Sequence, residues 1–165
     1  MSTSIVIRPM LLEDLEAVIA IERLSFPLPW SERAYRYELS ENAAARLWVA
    51  EKEGKVIGML VLWLILDEAH IATLAVHPDH RQQGIARQLL LRALQAAWED
   101  GARQAFLEVR KSNLAAQHLY QQLGFEINGL RPRYYRDNNE DALLMTLKED
   151  TMQTLLGNSF QESIP

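Results

Sequence analysis

The sequence predicts an α/β (α+β) protein: a mixed, mostly antiparallel sheet with helices on both faces. Three observations predict this class. Apolar periodicity along the 165 residues gives the element order βααβββαβαββ. One helix lies within a strand–helix–strand crossover, which joins parallel strands. Turn signals such as Glu53-Gly54 connect other strands, and short turns of this kind join antiparallel neighbours.

The elements before residue 80 follow from alternation, helical spacing and the residues that end each run. Pro9 ends an alternating strand, and Ser31 is the expected N-cap of the second helix. The prolines between Phe26 and Trp30 separate the two helices. The predicted strands are 4–8, 47–51, 56–66 and 69–76, and the predicted helices are 12–24 and 31–39.

The elements after residue 80 are bounded by caps and glycines. Gly101 and Gly124 are expected to end two helices, and either Ser112 or Asn113 to begin the second of them. The predicted helices are 83–99 and 113–123, and the predicted strands are 102–109, 125–130 and 142–147. We interpret residues 1–148 as one domain and 149–165 as a C-terminal extension with weak periodicity, not an independent domain.

Composition excludes several classes of protein. The net charge of −5 and the pI near 5.4 argue against a nucleic-acid binder held by bulk charge. The chain has no cysteine, which excludes disulfides, thiolate metal sites and a cysteine nucleophile. We expect no secretory signal, and the given residues contain no apolar run of membrane-spanning length. We therefore expect a cytoplasmic protein that binds neither membrane nor nucleic acid directly; the sequence gives no indication of oligomeric state.

The most informative segment is the loop that leads from the strand ending at Val76 into the next helix. Amides at a helix N-terminus point outward together, and the helix dipole adds positive potential there. Gly84 removes a side chain where an anion would approach the backbone. The segment lacks the endings of a P-loop and of a dinucleotide fingerprint. An ordinary helix entry with a glycine turn is the alternative interpretation.

Two segments carry a resemblance to a known family. Arg81-Gln82-Gln83-Gly84-Ile85-Ala86 resembles the pyrophosphate loop of the Gcn5-related N-acetyltransferase (GNAT) superfamily. Leu107-Glu-Val-Arg-Lys-Ser-Asn113 resembles the RimI family, bacterial enzymes that acetylate the N-terminal alanine of a small-subunit ribosomal protein. The resemblance covers about residues 4–148 and implies the GNAT fold, with acetyl-CoA as co-substrate.

The resemblance also implies which residues hold acetyl-CoA. The end of the fourth strand would pair its backbone with the pantetheine arm, with the Val76 amide facing the thioester oxygen. The loop amides would cradle the pyrophosphate, and Asn113 would bond the pantetheine amides, although it serves equally well as a helix cap. The expected cofactor-binding residues are Leu74, Ala75, Val76, Gln82, Gln83, Gly84, Ile85, Ala86, Arg87 and Asn113.

Two further residues are candidates for proton transfer. Glu108 is an ionisable group in an otherwise apolar strand, which suits a general base; a rim glutamate paired with Arg110 or Arg133 is the alternative. Tyr120 lies beside the apolar stripe of its helix and is more often a packing residue in such a position. The resemblance implies that Glu108 accepts the proton of the amine and that Tyr120 protonates the leaving thiolate.

The acceptor side is expected to involve Phe26, Trp30, Tyr134 and Tyr135, whose segments are similar to those of the RimI family. An aromatic lid over the sheet edge is the alternative for the tyrosine pair. Pro132, the 138–141 loop and the extension depart from the family pattern. No histidine has the spacing of a metal ligand.

Together with the resemblance, these features predict an acetyl-CoA-dependent N-acetyltransferase that acts on the N-terminal α-amine, an alanine, of a small-subunit ribosomal protein. The alternatives are acetylation of a small amine or a lysine, and an acyl-CoA sensor without turnover.

Overall fold

The computed structural model describes residues 4–162, with side chains described for 4–157. Seven strands form one mixed sheet in the order β1-β2-β3-β4-β5-β7-β6. The strands are β1 Val6–Pro9, β2 Ala45–Lys52, β3 Lys55–Ile65, β4 Glu68–Val76, β5 Gln104–Arg110, β6 Glu126–Arg131 and β7 Ala142–Leu147. The helices are α1 Leu15–Ser25, α2 Glu32–Ser40, α3 Ile85–Glu99, α4 Leu114–Gln122 and α5 Glu149–Glu162. The predicted order and class are therefore confirmed.

Contacts divide the chain into two compact units. The first comprises Met1–Leu64 with Ala72–Ala93, and the second comprises Ile65–Ile71 with Leu94–Pro165. No helix among residues 4–162 is long and apolar enough to cross a bilayer.

The first unit is an antiparallel meander with helices on both faces. Strands β1 and β2 pair antiparallel, as do β2 and β3. Val49, Met59 and Val61 point to one face, where they pack with the apolar residues of α1. On the opposite face a Cβ at Gly58 would lie 3.2 Å from Leu89 and 3.5 Å from Ile85. The missing side chain at Gly58 thus allows α3 to approach the sheet closely.

The second unit is built around β5. The first residues of β4 pair with it in parallel, Glu68–Ile71 against Gln104–Leu107 in register, as the predicted crossover requires. Strand β7 pairs antiparallel with β5 and with β6. Helix α5 contacts β5 and buries Met152 and Leu156. Residues 149–162 of the extension are therefore helical, with an apolar stripe of their own.

The local signals for helix ends are confirmed. The Ser31 hydroxyl accepts a hydrogen bond from the Ala34 amide at 3.1 Å, and the Asn113 side chain caps α4 in the same way. Gly101 and Gly124 adopt positive φ where α3 and α4 end. The predicted helix over 12–24 begins with a short 3-10 turn at Leu12–Asp14 and becomes α-helical only at Leu15.

Candidate active site

The loop between β4 and α3 has the backbone of an anion cradle. Gln82 and Gly84 both adopt positive φ, 62° and 77°. The first α-helical bond of α3 runs from the Gln88 amide to the Gly84 carbonyl at 3.1 Å, so the amides of residues 85–87 precede the helical ladder. A Cβ built at Gly84 meets no atom within 4 Å, so the space before this loop is open. An anion can therefore approach these amides closely.

One side chain ties this loop to the end of β4. The Arg81 Nε donates to the Val76 carbonyl at 3.1 Å, and the His77 amide donates to the Ile57 carbonyl at 2.7 Å. Ala75 and Val76 are buried, so their side chains pack while their backbone forms the strand end. Ile85 is also buried, and its expected contact with the cofactor rests on its amide alone. Arg81 thus fixes the loop relative to the last residue of the strand.

Glu108 in the second unit is held by two neighbours. Its Oε1 lies 3.4 Å from the Arg131 Nε, and its side chain is 29% exposed. The Tyr134 hydroxyl donates a hydrogen bond to the Glu108 carboxylate, which raises the pKa of Tyr134. The alternative interpretation, in which Glu108 pairs with Arg110 or Arg133, named the wrong arginine, because Glu108 pairs with Arg131. Arg110 instead binds Asp137 and Glu140.

The loop between β6 and β7 is organised by its own charges. The Arg110 guanidinium lies 3.9 Å above the ring of Tyr135 and 2.9 Å from Asp137. Glu140 accepts the Ser112 amide at 2.6 Å, and its carbonyl accepts the Tyr135 amide at 3.1 Å. Burial raises the pKa of Tyr135 to about 12, against the opposing charge of Arg110. These bonds fix Tyr135 in a half-buried position while Tyr134, edge-on to it at 5.1 Å, stays exposed.

Tyr120 and Asn113 lie on α4 in the same unit. Tyr120 is buried, its ring centroid 5.8 Å from that of Phe125, and burial raises the pKa of its hydroxyl to about 12. The phenol is therefore protonated near neutral pH. The Asn113 Oδ1 accepts the Ala116 amide at 3.1 Å as the helix cap, a bond that uses the oxygen and not the amide nitrogen of this side chain.

Phe26 and Trp30 in the first unit pack against its apolar core while remaining partly exposed. The Trp30 ring stacks on Trp63 with centroids 6.3 Å apart and tilts against Tyr35 at 5.3 Å. Both residues belong to the connection from α1 to α2, and their packing leaves Leu28 between them 60% exposed. The aromatic residues thus anchor the connection, and its apex faces solvent.

A family model described as "Acetyltransferase (GNAT) family" matches residues 15–125. The chain belongs to the GNAT acetyltransferase family. It is an N-acetyltransferase, and its match spans the β4–α3 loop, Glu108 and Tyr120.

Relatives of this GNAT chain carry related names. The Escherichia coli (strain K12) "[Ribosomal protein bS18]-alanine N-acetyltransferase" is 35% identical, covering 81% of this chain and 90% of the relative. The Bacillus subtilis (strain 168) protein named "Putative [ribosomal protein bS18]-alanine N-acetyltransferase" is 41% identical, covering 88% of this chain and 96% of the relative. The crystal structure of the ribosomal-protein-S18-alanine N-acetyltransferase from Escherichia coli has a TM-score of 0.81 at 33% identity, covering 88% and 94%.

The structure of this GNAT chain gathers the predicted residues into two sets. In the first unit Arg81 joins the β4–α3 loop to the end of β4. In the second unit Glu108, Tyr134 and Tyr135 lie together, and Tyr135 is near enough to Tyr120 that its ionised form would add to the raised pKa of Tyr120. Among the described side chains, no group of three or more His, Asp or Glu could hold a metal ion.

Sequence reasoning missed three residues that hold predicted site residues in place: Arg81 at Val76, Arg131 at Glu108, and Glu22 at the Trp30 amide. Arg81 stood in the loop motif and could have been found there. Arg131 gave no local signal, because it reaches Glu108 through strand pairing. Glu22 stood among apolar residues at helical spacing, where a carboxylate is unusual, and that position was the signal.

Proposed function

We propose that this chain transfers the acetyl group of acetyl-CoA to the N-terminal α-amine of an acceptor protein. The proposed acceptor begins with alanine and is a small-subunit ribosomal protein, the substrate class for which the relatives are named. The observation that carries the proposal is the fixed carboxylate of Glu108, between Arg131 and the hydroxyl of Tyr134. Such an acceptor places the reaction in the cytoplasm.

The β4–α3 loop fits the pyrophosphate of the co-substrate. Its outward amides, positive-φ residues and open space before Gly84 are the features that an anion of this size needs. Gln82, Gln83, Gly84, Ile85, Ala86 and Arg87 would hold it. Leu74, Ala75 and Val76 would pair with the pantetheine arm, and the Asn113 amide nitrogen would bond to that arm. The thioester of the co-substrate supplies the activated acetyl group.

Proton transfer falls to two side chains. Glu108 takes the proton of the acceptor ammonium, directly or through a water, and the amine attacks the thioester carbonyl. Tyr120 donates its hydroxyl proton to the departing thiolate, and the second proton, which the nitrogen loses as the amide forms, returns through solvent to the Tyr120 phenolate. The first proton passes from Glu108 to solvent, so the overall reaction releases one proton. An α-amine loses its proton near pH ~8 and a lysine near ~10.4, so a carboxylate base suits an N-terminus better. With no cysteine in the chain, the transfer is direct within a ternary complex.

The acceptor side is assigned to Phe26, Trp30, Tyr134 and Tyr135. Their aromatic faces and the exposed Tyr134 hydroxyl suit an extended peptide, which needs flat apolar contacts and hydrogen-bond partners for its backbone. The ordered β6–β7 loop supports this assignment, because a pre-formed surface binds a peptide with less loss of entropy.

The function is tested by coenzyme A release with two peptides. One has a free N-terminal alanine and no lysine, and the other is N-blocked with a single lysine. We expect release with the first peptide only. Release with the lysine peptide alone would overturn the N-terminal assignment, and release only with small amines would move the substrate class. Tight acetyl-CoA binding without transfer to any amine would indicate a sensor.

Changing Tyr120 to Phe is expected to lower kcat about 100-fold, the size of a general acid contribution, with KM for acetyl-CoA unchanged. In the unchanged enzyme the protonated hydroxyl is the donor, and its pKa is about 12. The activity it supports is therefore present at neutral pH and is lost only as the pH approaches 12. We expect kcat to hold between pH 8 and 10, measured with the alanine peptide at saturation.

Tyr37, an exposed tyrosine of α2, provides the control for this variant. Tyr37→Phe should retain the full kcat. A Tyr120→Phe enzyme with unchanged kcat would remove this residue from the mechanism.

A further inference from the structure

Glu22 carries a fully buried carboxylate in the last turn of α1 that the proposed mechanism does not use. Its Oε1 accepts the Tyr35 hydroxyl at 2.6 Å, and its Oε2 accepts the Trp30 amide at 3.1 Å. Thr73 of β4 is close enough to this carboxylate to oppose the rise of its pKa. Glu22 therefore joins α1, α2, the connection between them and β4, all within the first unit.

Glu22 accepts a hydrogen bond at each end of the Phe26–Trp30 connection, in addition to the aromatic packing there. Pro27 and Pro29 have no amide hydrogen, which leaves few backbone donors to anchor the segment. The Phe26 amide donates to the Glu22 carbonyl at 3.0 Å, and the Trp30 amide donates to the Glu22 carboxylate. Both ends of the connection are thus held by Glu22, through its main chain and its side chain.

A buried carboxylate is a costly way to fill this position. Burial raises the pKa of Glu22, and the hydrogen bonds of Tyr35 and Trp30, together with the nearby Thr73, only oppose that effect. An apolar side chain of similar volume would fill the space without the desolvation cost. What the carboxylate adds is direction, because it fixes where the Trp30 amide, the Tyr35 hydroxyl and Thr73 lie. Glu22 therefore specifies geometry more than it adds stability.

We infer that Glu22 is a positioning residue for the acceptor: it fixes the Phe26–Trp30 connection against β4 and so determines which acceptors bind. This inference rests on the proposed function, which assigns Phe26 and Trp30 to the acceptor side. Leu28 lies at the exposed apex of the connection, so the hydrogen bonds to Glu22 also determine where the Leu28 side chain lies. Thr73 precedes Leu74, so the same carboxylate also sets the connection relative to the strand assigned to acetyl-CoA.

The test replaces Glu22 by Gln, which keeps the volume and replaces one acceptor oxygen by a donor. We expect KM for the alanine peptide to rise about tenfold or more, the value of one hydrogen bond to a charged group. KM for acetyl-CoA should stay within about twofold, since the β4–α3 loop keeps its hydrogen bond from Arg81 to Val76. The exchange of the Trp30 amide hydrogen, followed by NMR, should accelerate about tenfold or more.

Asp14→Asn is the matched control. Asp14 is a buried carboxylate that holds Arg8 and the Leu11 amide at the other end of the same helix. This variant should lower Tm while leaving both KM values and the Trp30 exchange rate unchanged. Tyr35→Phe, which removes one donor to Glu22, should give a smaller rise in peptide KM.

Several outcomes would overturn the role of Glu22. They are a peptide KM within twofold of the unchanged enzyme, an equal rise in both KM values, the same rise in Asp14→Asn, or an unchanged Trp30 exchange rate. Failure of the proposed function is seen separately, since the unchanged enzyme would then release no coenzyme A with the alanine peptide. In that case KM of each variant is compared for whichever amine the unchanged enzyme acetylates. The Trp30 exchange test needs no acceptor.

Discussion

Replacing Glu108 by Gln should lower kcat for the alanine peptide by about 100-fold or more, the usual contribution of a general base. The amide keeps the shape of the side chain and its contact with the Tyr134 hydroxyl, but it cannot take the proton of the acceptor ammonium. Acetyl-CoA affinity should not change, because the residues assigned to its pyrophosphate lie on the β4–α3 loop. Steady-state coenzyme A release and calorimetric titration of acetyl-CoA give the two quantities.

Glu126→Gln is the matched control, since Glu126 is an exposed carboxylate of β6 paired with Lys148. It should leave kcat unchanged. Glu108→Gln with normal kcat would show that Glu108 is the rim glutamate of the alternative interpretation, held by Arg131 for structure only. An equal loss of kcat and acetyl-CoA affinity would instead indicate a general disturbance of the fold.

Gly84→Ala is expected to raise KM for acetyl-CoA about tenfold or more, the loss of about one charge-assisted hydrogen bond, with kcat at saturation little changed. The added methyl group would occupy the open space from which a pyrophosphate reaches the loop amides. Positive φ also makes alanine strained here, at a cost of about 1–2 kcal/mol in the free energy of unfolding. Initial rates over a range of acetyl-CoA concentrations measure the effect on KM, and urea unfolding measures the strain.

Gly101→Ala separates these two effects. Gly101 also has positive φ, and a Cβ there likewise meets no atom within 4 Å, but it ends α3 instead of beginning it. This variant should lose stability and keep its KM for acetyl-CoA. If both variants raised that KM equally, backbone strain would explain the result and the loop would lose its assignment as a phosphate cradle.

The elements of the fold were predictable because their signals are local. Ser31 caps α2 with its own hydroxyl, and Asn113, one of two candidates in the sequence, caps α4. Glu53-Gly54 turns with both residues at positive φ, as the hairpin signal predicts. Each of these depends on interactions within a few residues. The helix of the extension was harder to predict, since its stripe of Met152 and Leu156 is short.

The partners of the candidate site were not predictable in the same way. Glu108 was found as a carboxylate in an apolar strand, but its partner depends on a register across three strands. Glu108 lies opposite Leu144, which lies opposite Gly129, and this pairing brings Arg131 to the same face two residues on. Arg110 was the nearer candidate in sequence, yet the β6–β7 loop supplies it with Asp137 and Glu140.

The sequence by itself determined the order of elements, the β4–α3 loop at Gly84 and the chemical types of the reacting groups. Each of these depends on adjacent residues or on a single side chain. The tertiary structure alone decided how those groups are held. Arg131 reaches Glu108, Arg81 reaches Val76, and Glu22 joins Trp30 to Tyr35 and Thr73 only once the chain has folded. The physical reason is that a hydrogen bond or ion pair depends on distances of about 3 Å, which strand register and helix packing set between residues far apart in sequence.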